Sequence, residues 1–173
     1  DMEPWVRGYT FLEGKKYREE HRKINTFLEK NRNKKILFLE LGVGRMTPMF
    51  IQEPFWKLTY TLPDAFYITI NPRDAILPEA LKKKGAAIHE DIAVVLRDAV
   101  KQYKEIADRI KAADAVLIGA SNGLSIAEGY NIFVNDERFS EYFADFQRKY
   151  GFRSLLQGIF SNFTSEGERW SYF

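Results

Sequence analysis

Short apolar runs alternate along the chain with stretches in which apolar residues recur at helical spacing. Four runs are predicted to be strands: 36–41, 66–70, 86–90 and 115–119. The first is a short apolar run between lysine and glycine, and the second is rich in β-branched and aromatic residues. Strands that alternate with helices predict an α/β fold built on a parallel sheet.

Helical spacing predicts helices over residues 14–32, from 48 towards 60, over 78–84, over 138–150 and over 152–160. Pro54 is expected to interrupt the second of these. The clearest pattern covers residues 92–113, where apolar positions alternate steps of four and three without a breaker. This stretch is predicted to be one continuous amphipathic helix.

A glycine-rich loop follows each of two predicted strands. Gly42-Val43-Gly44 follows the first, and Thr47 and Pro48 are expected to cap and begin the next helix. Residues 119–123 follow the last strand, and Ser125 is expected to cap the helix beyond. Glycine lets backbone amides approach a phosphate, and a helix start adds partial positive charge. Either loop alone is more often an ordinary turn, but the pair in an α/β chain favours nucleotide binding.

Composition excludes several kinds of site. The chain has no cysteine, which rules out disulfides, thiolate zinc sites and cysteine nucleophiles. Its 26 basic and 24 acidic residues leave a net charge of +2, without the basic footprint of a nucleic-acid partner. The apolar runs are too short to span a membrane, and no signal peptide is recognised at the start. We therefore expect a cytoplasmic protein.

Neither glycine loop matches the pattern G-x-G-x-x-G, which disfavours a hydride-transferring dehydrogenase.

Residues 111–129 resemble the opening strand and cofactor loop of the sirtuins, with Gly123, Ser125 and Gly129 on the family's pattern. The continuation over residues 137–152 is similar to the bacterial branch often found beside macrodomains.

The first half of the chain resembles the family's later loops, which surround the adenosine half of NAD. The motifs are Leu39–Gly44 (Leu-Glu-Leu-Gly-Val-Gly), Thr47-Pro48, Ile70-Asn71 and Glu90-Asp91-Ile92.

This resemblance implies a single Rossmann-like NAD-binding domain over residues 1–173, with a doubly wound parallel sheet in the order 115–119, 36–41, 66–70, 86–90. The strand 115–119 would form an exposed edge. NAD is the implied cofactor. The implied cofactor contacts are Gly42, Val43, Gly44, Arg45, Thr47, Asn71, Asp91, Ile92, Gly119, Ala120, Ser121, Gly123, Leu124, Ser125 and Gly129.

Compared with the family, the two halves stand in swapped order. Residues 1–105 resemble its carboxyl half and 106–173 its amino half, so the chain is either circularly permuted or two fragments joined in reverse. The family's section with the catalytic histidine, the Asn-x-Asp loop and the zinc cysteines is absent, and Asn131-Ile132-Phe133 stands in place of Asp-Phe-Arg. No catalytic residue or metal ligand is therefore predicted.

In complete form, such a domain is expected to belong to a transferase that releases nicotinamide from NAD. It would act as a protein mono-ADP-ribosyltransferase or as a deacylase, with a protein as substrate. The alternative is a module that binds NAD or ADP-ribose without catalysis. Neither nucleic acid nor a membrane is expected as a partner.

For several residues, a structural role is an alternative to the implied role in cofactor binding. Asn71 is as well explained by a turn as by a ribose contact, Asp91 by a helix cap, and Arg45 by solvent exposure. His21 lies on the apolar stripe of the first helix and is expected to be packed there. The aromatic segment 139–173 is expected to pack partly on the sheet and partly on a segment or partner beyond this sequence.

Overall fold

The computed structural model describes residues 15–45, 48–98 and 103–173. The strands are β1 (Ile36–Leu41), β2 (Ala65–Ile70), β3 (Gly85–Ile88) and β4 (Ala115–Ala120). The α-helices are α1 (Lys15–Asn31), α2 (Gln52–Thr61), α3 (Ile92–Asp98), α4 (Lys104–Ala112), α5 (Asn122–Ala127), α6 (Glu137–Tyr150), α7 (Leu155–Ile159) and α8 (Glu166–Tyr172). Single 3₁₀ turns occupy Pro48–Phe50 and Glu79–Leu81.

The four strands form one all-parallel sheet in the order β3-β2-β1-β4. β1 pairs with both β2 and β4 along its whole length. All six of its residues are buried, which explains why the strand is a nearly unbroken apolar run instead of an alternating one. The predicted α/β fold, the parallel sheet and its strand order are confirmed.

Helices cover both faces of the sheet. On one face, Phe38 and Tyr67 pack with Phe55 of α2, and Leu28 of α1 lies against the same cluster. On the other face, strand residues are covered by α3, α4 and α5; the contributing helical residues are Ile92, Val95, Ile106, Leu124 and Ala127. This two-sided cover makes the sheet doubly wound and Rossmann-like.

The prediction of one continuous helix over residues 92–113 is wrong. α3 is described over Ile92–Asp98, and residues 99–102 lie outside the described part of the chain. Tyr103, directly before α4, has non-helical backbone angles (φ −113°, ψ 48°) and breaks the helix there. Val95 of α3 and Ile106 of α4 enter the same apolar cluster. Because both pieces cover the same face of the sheet, the apolar spacing continues through the interruption and does not reveal it.

The expected interruption at Pro54 is also wrong. Pro54 is the third residue of α2, where a backbone N–H has no partner within the helix, so proline is tolerated. The change from the 3₁₀ turn to α2 occurs earlier, at Ile51, whose angles are φ −129° and ψ −57°.

The segment from α6 to α8, residues 137–172, forms a third apolar cluster, which we call the aromatic module. Phe139, Phe152 and Tyr172 are its buried centre, and the residues packed around them come from the module itself. The expectation that the aromatic segment packs partly on the sheet is therefore corrected: its rings pack on one another. Cover from a further segment or partner stays a prediction. The most exposed rings of residues 139–173 are Tyr142, Phe160, Trp170 and Phe173.

The helices of the aromatic module are only partly foreseen by its sequence. α6 agrees with prediction, α7 is shorter than the predicted 152–160, and α8 is an additional helix. Gly158 makes the packing possible, because a Cβ there would lie 2.1 Å from the Tyr172 ring. The Tyr172 hydroxyl donates to the Leu155 carbonyl at 2.7 Å, and burial raises its pKa to about 12.

Candidate functional site

The two glycine loops meet where β1 and β4 end side by side. The Gly123 N–H donates to the Gly42 carbonyl at 3.2 Å, and the Ser121 N–H donates to the Leu41 carbonyl at 3.2 Å. A Cβ on Gly42 would lie 2.5 Å from the Gly123 Cα, and a Cβ on Gly123 would lie 2.5 Å from the Gly42 Cα. The loops are thus in direct backbone contact, which only glycine permits on either side.

The turn after β2 is joined to the first loop. The Gly42 N–H donates to the Ile70 carbonyl at 2.9 Å, and Asn71 Nδ2 donates to the Val43 carbonyl at 2.9 Å. Asn71 Oδ1 accepts from the amides of Arg73 and Asp74 at 2.9 and 3.0 Å. The side chain of Asn71 is buried and makes three structural hydrogen bonds, which agrees with its turn role.

The loop after β4 is held in place by hydrogen bonds and packing within the protein. The amides of Ser121, Gly123 and Leu124 all donate to protein carbonyls, so they are not available to a ligand. A Cβ on Gly119 would lie 2.3 Å from Ile51 Cγ2, which means that this glycine lets α2 approach the sheet.

The helix after this loop begins earlier than expected. α5 starts at Asn122 with Ser121 as its N-cap residue, and Ser125 lies inside the helix. The prediction that Ser125 caps this helix is wrong. Ala120 and Ser125 are exposed, Leu124 packs on the core, and Gly129 has φ +89° just beyond the end of α5.

The loop after β1 has a different character. Within the described part of the chain, the amides of Val43, Gly44 and Arg45 make no hydrogen bond. A Cβ on Gly44 would meet no atom within 4 Å. Arg45 Nε lies 2.7 Å from Asp74 Oδ1. Consecutive backbone N–H groups without a hydrogen-bond partner, next to an arginine side chain, can bind an anion. Thr47, the other predicted contact here, lies outside the described residues.

Asp91 and Ile92 lie at the start of α3. Asp91 Oδ1 accepts from the amides of Ala93 and Val94 at 2.9 and 3.2 Å, so Asp91 caps the helix as its structural alternative predicted. Ile92 is 1% exposed and packs in the core.

A cavity of about 650 Å³ opens beside the joined loops. Val43 and residues 117–121 line one side, and Tyr17, Glu20 and His21 of α1 line another. His21 is exposed, so the expectation that it is packed in the core is wrong. Its Nδ1 lies 3.2 Å from Asn25 Nδ2.

A buried carboxylate lies under the loops. Glu40 of β1 is fully buried and accepts hydrogen bonds from Gln52 Nε2 at 3.1 Å, the Tyr67 hydroxyl at 2.8 Å and Thr69 Oγ1 at 2.9 Å. Burial raises the pKa of the Glu40 carboxyl, and these three donors act in the opposite direction. Burial together with the neighbouring Glu40 charge raises the pKa of the Tyr67 phenol. The network ties β1 to β2 and, through Gln52, to α2.

Sequence reasoning overlooked Glu40 and Asp74. Glu40 has a visible signal, because it is the single charged residue in a buried apolar run, where a carboxylate needs hydrogen-bond donors. Asp74 has only a weak signal, as an acidic residue shortly after a strand end.

Neither a metal-binding cluster nor a membrane-spanning helix is found among the described residues. They contain no group of three or more histidine, aspartate or glutamate side chains arranged to hold a metal ion. Their helices also lack the length and apolarity that crossing a bilayer requires.

No protein-family model matches the chain. It is similar to the "Protein ADP-ribosyltransferase" of Staphylococcus aureus strain Mu50, with 29% identity over 90 residues. The match covers 52% of this chain and 29% of that protein. The chain therefore spans less than a third of the length of this curated relative.

Proposed function

We propose that this chain holds the adenosine diphosphate half of NAD, as part of a protein that transfers ADP-ribose. The observation that carries the proposal is the backbone contact of Gly42 with Gly123 at the ends of β1 and β4. The strand order reverses at this pair, because β2 and β3 lie on one side of β1 and β4 lies on the other. In open α/β sheets, nucleotides bind beyond the carboxyl ends of the strands at such a reversal.

The loop after β1 fits a diphosphate better than the loop after β4. Its three amides have no hydrogen-bond partner among the described residues and can donate to phosphate oxygens. The space at Gly44 allows close approach, and Arg45 supplies positive charge. The loop after β4 then acts as the support that shapes the first loop. Among the predicted contacts, we assign direct binding to Val43, Gly44 and Arg45.

When bound, NAD would supply the reactive bond between ribose and nicotinamide. The residues of this chain bind and orient the opposite end of the cofactor, and the adjoining cavity leaves room beside it. The two glycine loops and their flanking motifs support a site of the sirtuin type. The similarity to a protein named for ADP-ribosyl transfer favours that activity over deacylation, with a protein side chain as acceptor.

The second candidate is a module that binds NAD or ADP-ribose without catalysis. The surroundings of the two histidines favour it for the chain alone. His21 and His89 are both exposed, and Nδ1 of His21 lies against the Asn25 amide. A general base needs to be held within hydrogen-bond reach of the proton that it removes.

Calorimetric titration with NAD and with ADP-ribose tests the binding proposal. We expect the two Kd values to agree within about threefold, a difference below 1 kcal/mol, because the assigned contacts reach only the half that both ligands share. Failure of both ligands to bind would overturn the proposal.

A nicotinamide-release assay then separates the two candidates. We expect the chain alone to work at the background rate, since a positioned base contributes about a hundred- to ten-thousand-fold. Release above background would favour catalysis within this chain. His21 would be the first residue to replace, because it lines the cavity.

A further inference from the structure

One hydrogen bond joins the two ends of the segment that contains the proposed diphosphate site. Glu40 lies just before this segment in β1, and Gln52 lies just after it as the first residue of α2. Gln52 Nε2 donates to Glu40 Oε1 at 3.1 Å, and the two residues are 2% and 0% exposed. Breaking a buried hydrogen bond to a carboxylate is costly, because water does not reach its partners. The distance between the end of β1 and the start of α2 is therefore fixed from beneath the loop.

The two ends of the segment are held in different ways. At the β1 end, the backbone fixes the chain, since the Gly42 N–H donates to a carbonyl of β2 at 2.9 Å. At the α2 end, Ile51 has no capping side-chain hydrogen bond in the described part of the chain, and it lies with Phe55 against Gly119. Apolar contacts of this kind are non-directional and let a helix slide. The hydrogen bond of Gln52 is directional, so it determines where the helix begins relative to the sheet.

We propose that Gln52 is a positioning residue of the site. It does not touch the ligand, and its hydrogen bond to Glu40 holds the amides of residues 43–45 in the arrangement that a diphosphate needs. The proposal rests on the function proposed above, which assigns diphosphate binding to these amides. An N–H group donates well to an oxygen at about 2.7–3.2 Å, so a shift of about 0.5 Å is enough to weaken such a bond. Three amides that bind one anion therefore depend on a loop whose two ends keep their separation.

Thr69 offers a matched comparison within the same network. Its Oγ1 donates at 2.9 Å to the same oxygen, Glu40 Oε1, and the residue is also fully buried. Thr69 lies in β2 directly opposite Glu40, where the two strands are already paired through their backbones. Removing either donor takes one hydrogen bond from the buried carboxylate, but removal of the Gln52 donor also releases the start of α2.

The test compares Gln52→Met and Thr69→Val in the whole chain, by calorimetric titration with ADP-ribose and by urea denaturation. Methionine and valine approximate the shape of the side chains that they replace, and both lack the donor. We expect the two variants to lose stability to a similar extent. ADP-ribose affinity is expected to fall by about tenfold or more in Gln52→Met, as for the loss of one hydrogen bond to a charged group, and to stay within about threefold of the wild type in Thr69→Val.

Hydrogen exchange locates the effect within the chain. In the wild-type protein, saturating ADP-ribose is expected to slow exchange of the amides of residues 43–45, because bonded N–H groups are protected. This protection should be weaker in Gln52→Met and unchanged in Thr69→Val. A residue that only stabilises the fold would leave the protection by bound ligand unchanged.

The outcomes separate the two proposals. If the wild-type protein does not bind ADP-ribose, the proposed function fails and this inference fails with it. If the wild type binds and a folded Gln52→Met protein keeps its affinity, the inference alone is overturned. An equal loss of affinity in Thr69→Val would also overturn it, because the network as a whole would then be responsible. If Gln52→Met does not fold, Gln52→Asn takes its place, since its shorter side chain keeps the amide but withdraws it from the carboxylate.

Discussion

The two glycine loops look alike in sequence but differ in what their glycines do. After β4, Gly119 and Gly123 are required by packing, because a Cβ on either would collide with α2 or with the backbone of the other loop. After β1, Gly42 has φ +64° and makes the matching backbone contact, whereas the Cβ position of Gly44 faces open space. Glycine therefore serves the fold at three positions and leaves room for a ligand at the fourth.

The strands that lead into the loops show the same division. Glu40 of β1 is in register with Gly119 of β4, and both lie under the start of α2. Glu40 binds that helix through Gln52, and Gly119 lets it come close. The amides of the loop after β4 are thus hydrogen-bonded within the fold, whereas those of Val43, Gly44 and Arg45 have no partner among the described residues.

The largest expected effect comes from Gly42→Ala. A left-handed backbone costs a residue with a Cβ about 1–2 kcal/mol, and the overlap with Gly123 adds about 1–3 kcal/mol. The free energy of unfolding should fall by about 2–5 kcal/mol in urea denaturation. Gly167→Ala is the control, since its Cβ would approach no atom closer than Ser165 Oγ at 3.8 Å. A Gly42→Ala protein as stable as the control would show that the loops do not touch.

A smaller effect is expected from the pH dependence of Glu40. Its pKa is raised in the folded protein, so the folded state binds more protons and the stabilisation is present below the unfolded pKa of about 4.3. It is lost as pH rises through the folded pKa. In denaturation series, Glu40→Gln should therefore gain stability relative to the wild type as pH rises from about 4.

Glu168 of the aromatic module provides the opposite case. Hydrogen bonds from Lys149, Thr164 and Tyr150 lower its pKa to about 2, so its stabilisation is lost as pH falls. As pH falls, the Glu168→Gln protein should therefore become more stable relative to the wild type. If stability relative to the wild type changed with pH in the same direction for both variants, the assigned environment of Glu40 would be contradicted.

The smallest effect on stability is expected from Gly44→Ala. The added methyl meets no protein atom, so the free energy of unfolding should change by no more than about 0.5 kcal/mol. The same methyl would stand where the diphosphate approaches, and ADP-ribose affinity should fall by about tenfold, or about 1.4 kcal/mol. Calorimetry beside the Gly167→Ala control measures this. Unchanged affinity in a folded protein would remove Gly44 from the site.

Much of the sheet could be predicted from the sequence. A strand buried on both faces requires an apolar run, as in β1, whichever neighbours it has. The strand order followed from the family resemblance, and the structure confirms it. Helix boundaries were harder to predict. The apolar residues keep helical spacing from α3 into α4, because both helices pack on the same face of the sheet, so the spacing does not show the break between them.

The candidate site was predictable as two loops but not as a set of contacts. The glycine pattern marked both loops correctly as strand ends, yet it could not tell that the amides of Ser121 and Gly123 are already bonded. It also could not tell that Arg45 meets Asp74, which is 29 residues away in the chain. Such pairings depend on how the strands are placed in space.

By itself, the sequence determined which segments become strands, where glycine interrupts them and that no thiol chemistry is available. Only the tertiary structure decided that Gly42 meets Gly123, that the aromatic rings form their own cluster, and that Gly44 is the glycine left open. The physical reason is one of range. Strand propensity and apolar spacing act between near neighbours in the chain, whereas a backbone contact across 81 residues exists only once β1 and β4 have paired.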